Sequence, residues 1–413
     1  MLLPTTTQLR ALLKRTLTGK QSDGFGVADL APAVDSAPDS YDALLALAEQ
    51  INARPYRSDW SFVEPEDLDG IWAQCAPDRP QNPVASITPT AAAERVHAGF
   101  LGSVCGCQLG KPVEVNPTLD ELKTALEATG DWPLRDYFRE ETLQKLGRRH
   151  ESCPQTLREN LVAAAPDDDI NYTIMGMLVL EQHGPDFTLP NLQQLWLQNL
   201  PPAFTWGPER KALINFALHS LGNGGDPDFT RWKSLFDQAD PHCGAVIRAD
   251  AYGYACPGHP HLAASLAYKD AALTHRRNGI YATMYVAAVI ALAQVTHDRL
   301  AIFETALKFV PRRSRFHAIA SDSLHQVAQA SDWLDGYYRI HGKYKQYSHC
   351  MVFQEIGTLI NTLRFAHDVG DGIAKQVSQG NDTDSFGATA GSILGCYFGP
   401  GHLDPRWLAP LHD

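Results

Sequence analysis

A chain of 413 residues, 44% of them hydrophobic and 20% charged, is long and apolar enough to bury a large core. Its formal charge of -12 argues against a protein whose main task is to coat nucleic acid or anionic lipid, because both repel a negative surface. The longest strongly apolar run, "MYVAAVIALA" at 284–293, is about half of the roughly 20 residues that a membrane helix needs and reads as a buried helix. Eight cysteines without a CxxC pair fit reduced, partly buried thiols in a cytoplasmic protein.

The opening "MLLPTTTQLRALLKRTL" sets leucines at 9, 12, 13 and 17 against Arg10, Lys14 and Arg15, the period of a surface helix. Residues 1–88 read as a mostly helical extension with no assigned role, closed by the proline-rich connector "CAPDRPQNPVASITPT". Beyond it, with Thr90 as the expected N-cap, the pattern predicts helices at 91–110, 173–183, 191–199, 209–221, 262–273, 279–296, 299–309, 320–340, 351–367 and 385–398. Few segments alternate with period two, so residues 89–413 are expected to form an all-α body.

Two of these helices carry glycine stripes. In "AGFLGSVCGCQLGKPVE" Ala98, Gly102, Gly106 and Gly110 recur every four residues, and in "QGNDTDSFGATAGSILGCYFG" Gly387, Gly391, Gly395 and Gly399 do the same. Each interior glycine costs roughly 0.5–1 kcal/mol relative to alanine, and close backbone approach is the usual compensation. Helix against helix is the plain reading; helix against ligand would make Gly110 and Gly387 substrate contacts.

Acidic residues open two predicted helices, Asp167, Asp168 and Asp169 in "PDDDINYT" and Asp382 and Asp384 in "GNDTDS". A single Asp suffices as an N-cap, and adjacent like charges repel unless separated, protonated or bound to a cation. About 200° separates Asp382 from Asp384 on a helix. They can therefore share a cation only if 380–385 is a turn before the helix, where the Ser385 hydroxyl joins them. Hard oxygen donors without zinc-type Cys or His spacing point to Mg²⁺, Mn²⁺ or Ca²⁺.

Together with "IRADAYGYACPGHPHLAASLAYKDAALTHRRNGIYATMYVAA", these ordered motifs resemble the ADP-ribosylglycohydrolase family over roughly residues 91 to 400. The resemblance implies an all-α fold with a two-ion Mg²⁺ (or Mn²⁺) centre at the floor of a cleft, and an ADP-ribosylated substrate or a small riboside as partner. It assigns Asp167, Asp168, Asp169, Asp382, Asp384 and Ser385 as metal ligands, although Asp167 stands where relatives carry Thr, Ser or Gly, and Ile170 where they carry Thr. Glu114, after a helix that Pro112 should end, matches an acidic position near the substrate ribose. Glu114, Asp168, Asp169 and Asp384 are the candidate proton acceptors for cleavage at the ribose anomeric carbon.

His275 matches a Thr-His pair that lies near the substrate in relatives; Tyr252 and Tyr254 are candidates to stack on adenine, and His349 to reach the cleft. Packing is the alternative for each. Lys111, Arg276 and Arg277 suit a pyrophosphate, with solvated surface charge as the default. Two rival readings are a hydrolase of ribosides lacking ADP and a non-catalytic binding protein on the same scaffold.

Overall fold

The computed structural model describes residues 4–222, 225–236, 240–347 and 349–412. Among them every regular element is a helix, and the only β-type pairs are isolated bridges. The expected all-α architecture is what the chain forms. The run at 284–293 lies in the helix Arg277–Ala293, whose residues are all buried, and no helix among the described residues is long and apolar enough to cross a membrane.

Most of the core is one apolar cluster running from Ile71 to Trp407. A smaller one, from Leu13 to Ile51, lies in the extension. The helix Leu68–Gln74 sides with the larger cluster through Ile71. The extension is tied to the body by a buried ion pair from Arg315 to Asp23 at 2.5 Å and by a partly buried one from Arg277 to Glu66, while Arg277 also pairs with Asp240 within the body. Arg276 and Arg277 are thus buried and paired with carboxylates rather than exposed.

The first glycine helix starts one cap earlier than its sequence suggests. Thr88, not Thr90, accepts the Ala91 amide, because Pro89 suits the first helical position. The helix expected at 320–340 is two, Arg315–Ala328 and Trp333–Tyr344. Asp332 caps the Asp335 amide while Asp335 accepts the Ser331 amide at 3.0 Å, a reciprocal pair that ends one helix and starts the next.

Helices Pro89–Gly110 and Thr383–Phe398 run antiparallel with their glycine faces in contact. A methyl group placed on Gly106 would sit 2.0 Å from the Gly387 carbonyl oxygen, and one on Gly391 2.0 Å from that of Gly102. The stripes serve backbone-to-backbone packing. Gly387 faces Gly106, and Gly110 faces the Thr383 backbone, where the Thr383 hydroxyl donates to the Gly110 carbonyl at 2.8 Å. Both glycines are buried, which corrects their assignment as substrate contacts.

Candidate active site

Pairing these helices in antiparallel register brings the end of one beside the start of the other. Lys111 follows Gly110 directly and Asp384 lies in the first turn of the second glycine helix, so the two meet at 2.8 Å. The same ammonium reaches Asp167 at 2.6 Å and Glu114 at 3.0 Å. Two acidic clusters more than two hundred residues apart in sequence thereby converge around one lysine.

The local backbone explains how each acid is presented. Asp167 is the N-cap of Asp168–His183 and accepts the Asp169 amide at 2.9 Å, so capping occupies one of its oxygens. Asp382 is the N-cap of the last long helix, yet its side chain makes no capping bond. Gly380 and Asn381 precede it with φ of 80° and 60°, and the helix begins at Thr383. The turn is therefore shorter than expected: Asp384 and Ser385 are helical, and the Ser385 amide donates to Asp384 at 3.0 Å, but Asp382 stays outside the helix with ψ of 84°, so the helical separation of about 200° does not hold the pair apart.

Burial and mutual repulsion raise the pKa values of Asp168, Asp169 and Asp382 well above the carboxylate range. Burial presses Asp384 the same way, but Lys111 and hydrogen bonds from Glu114 and Lys111 prevail and lower it. Glu114 is pushed up to about 9 by burial and by Asp384, against the pull of Lys111. The Lys111 ammonium loses hydration, yet Asp384, Asp167 and Glu114 hold its proton.

Three carboxylates share the Lys111 ammonium, and of the others in these two turns Asp169 Oδ1 and Asp382 Oδ1 are buried without a hydrogen-bond partner. Uncompensated oxygens of this kind are what a hard divalent cation satisfies, so the residues fit such an ion. A cavity of about 440 Å³ opens beside them, lined by Lys111, His150, Asp167 and Asp168 at its floor and by Phe204 and Trp206 at its rim. That volume suits a small-molecule ligand. Glu114 is partly exposed and lies 3.5 Å from His150 and 3.9 Å from His349.

Residues 88–413, more than three quarters of the chain, match the ADP-ribosylglycohydrolase family. The chain belongs to that family. A solved structure described as "ADP-ribosylglycohydrolase-related protein complex" is similar at 21% identity with a TM-score of 0.53, covering 78% of this chain and 94% of that one. That likeness supports the fold. A comparison with curated proteins found no match. The family's chemistry is the hydrolysis of ADP-ribose linkages.

Three expected substrate contacts are not among the residues that line this cavity. Tyr252 is fully buried, stacks on Phe187 and donates to Asp270 at 2.8 Å. Tyr254 shares a hydrogen bond with Ser392 in the core. His275 is buried against Thr274, 3.4 Å from Glu209, and burial depresses it to about 4. All three support the buried Arg248 network or the glycine-helix packing.

The sequence reading missed Lys111 as a buried charge, and Phe204 and Trp206 as the aromatic residues of the cavity. Only Lys111 had a local signal: a glycine stripe ending at Gly110 places the next residue at the level where the partner helix starts.

Proposed function

We propose that this chain is a divalent-cation-dependent hydrolase, using magnesium, that cleaves the bond between ADP-ribose and an acceptor. The observation that carries this reading is the convergence of both acidic turns on Lys111, with unpaired carboxylate oxygens on Asp169 and Asp382, beside a cavity that Lys111, Asp167 and Asp168 line together with Phe204 and Trp206. Asp168, Asp169 and Asp382 would hold the cation, with Asp167, Asp384 and Ser385 completing its oxygen shell. When bound, such a cation orients a ribose diol and lowers the pKa of water.

The chain's own groups supply the rest. Lys111 holds the two acidic turns together and neutralises part of their charge. Glu114 is the carboxylate best placed to move a proton: it is partly exposed, and burial with the neighbouring Asp384 keeps its pKa near 9. Asp384 is held ionised on Lys111 and buried, which suits a fixed charge rather than a proton carrier. Phe204 and Trp206 offer ring faces for adenine. Cleavage then proceeds through a cation-like ribose, stabilised by the carboxylates that surround it.

Calorimetric titration of ADP-ribose with and without Mg²⁺ tests the proposal, with the Asp382→Ala, Asp384→Ala double variant as control. Metal-dependent binding that disappears in the variant is expected. Wild-type binding indifferent to Mg²⁺, or unchanged binding in the variant, would refute it.

A further inference from the structure

Beside Asp382 lies a group of different chemistry. Cys243 donates to Asp382 Oδ2 at 3.1 Å, and Cys350 lies with them so that one ligand atom from each falls within 4.8 Å of the others. His349, the neighbour of Cys350 in sequence, is outside that group but falls within the same limit of Glu114 and Asp382, so Asp382 is common to both groups. Asp382 is 1% exposed, and its Oδ1 has no hydrogen-bond partner; neither has His349 Nδ1, which is also buried.

The backbone holds these donors in place. The Cys243 amide donates to the Cys350 carbonyl at 2.8 Å and the Val352 amide to that of Pro241 at 3.0 Å, around a bridge between His242 and Met351. Cys350 has a φ of 64°, a left-handed conformation that a residue with a side chain adopts only when its surroundings dictate it. Both thiols are free.

The geometry points to a second cation site, built from Cys243, Cys350, His349 and Asp382, that takes a borderline-soft divalent cation of the zinc class. Two sulfurs, an imidazole nitrogen and a carboxylate oxygen are a four-donor set for tetrahedral zinc, whereas magnesium prefers oxygen alone. On binding, each thiol gives its proton to solvent and the sulfur lone pair goes to the cation. Cys350 and His349 are partly exposed, which gives the ion a way in. Asp382 turns one oxygen to the sulfurs and leaves the other unpaired, so one carboxylate serves both sites. This inference concerns cation binding alone and does not rest on the hydrolase reading.

The test is titration of the full, metal-freed chain with Co²⁺ under a non-chelating reductant and saturating Mg²⁺. The expected result is one equivalent that gives a near-ultraviolet thiolate-to-cobalt charge-transfer band and strong tetrahedral visible bands, both displaced by one equivalent of Zn²⁺. Cys243→Ser and Cys350→Ser should each abolish the charge-transfer band or reduce it to a single-thiolate intensity. His349→Ala, which leaves both sulfurs in place, should weaken Zn²⁺ binding at least tenfold.

Cobalt binding without the band would overturn the proposal. So would a band that survives the double serine variant, since the thiolate would then be elsewhere, for example Cys107 beside Asp167 and Asp169. Two thiols that are missing from the metal-free protein as purified and appear only after reduction would also overturn it, because the sulfurs would be bonded to each other.

Discussion

Gly106→Ala isolates what the glycine faces contribute. The new methyl group would stand 2.0 Å from the Gly387 carbonyl oxygen and 2.5 Å from its carbon, atoms of backbone that no rotamer change can move. Restoring an ordinary contact of about 3.4 Å requires the two helices to part by about 1.4 Å, and overpacking of this kind costs roughly 1–3 kcal/mol. Alanine returns up to ~1 kcal/mol of helix propensity, so a net loss of about 1–2 kcal/mol is expected. The same shift lengthens the Lys111–Asp384 pair from 2.8 Å, and Mg²⁺ affinity should fall with it.

Gly342→Ala is the matched control. It lies exposed in the helix Trp333–Tyr344 with nothing within 4 Å of its added carbon, and should gain about 0.5 kcal/mol. Urea unfolding followed by circular dichroism measures both changes. If Gly106→Ala stabilises the chain as Gly342→Ala does, the argument from backbone contact is wrong.

Lys111→Met should lower stability by roughly 3 kcal/mol in the presence of a chelator, since three acids lose their buried partner, and Mg²⁺ should restore more in the variant than in the wild type. Thermal unfolding with and without Mg²⁺ reads both effects; equal Mg²⁺ shifts would count against Lys111 and the cation sharing the same carboxylates. Trp206→Ala is expected to weaken ADP-ribose binding about tenfold by calorimetry while the Mg²⁺-dependent gain in stability stays the same. Burial raises Asp250 to about 7, so the native state retains a proton that the unfolded chain releases from about pH 4 upward, and stability is lost as pH rises through that window. Asp250→Asn should therefore gain on the wild type by up to roughly 4 kcal/mol between pH 4 and pH 7; a difference in melting temperature that ignores pH would refute this.

What was legible in the sequence followed from local period. Glycines every fourth residue mark a helical face wherever that helix packs, and acids at a helix start declare themselves by repelling one another. The burial of Lys111 was signalled only by the glycine stripe before it, because a lysine is normally solvated and it is the docking of Gly110 against Thr383 that carries it inward. His275 was placed near substrate by the family resemblance and Tyr252 and Tyr254 by their aromatic rings, yet which side of a buried helix faces a cavity is decided by tertiary packing. Cys243 and Cys350, more than a hundred residues apart, carry no spacing signal and are joined only by the paired backbone at 241–243 and 350–352.

The ion pairs between the extension and the body bear on how this molecule can be divided. Similarity to the family begins at residue 88, yet Asp23, Glu64 and Glu66 lie before that point and neutralise Arg315 and Arg277 or bond Asn278 beyond it. A protein trimmed to the recognised portion would keep the arginines and surrender most of the acids that face them, leaving a basic scar on an otherwise acidic surface. The first 88 residues are therefore part of the charge balance of the hydrolase scaffold, and a shortened chain should be sticky towards polyanions before any question of its activity arises.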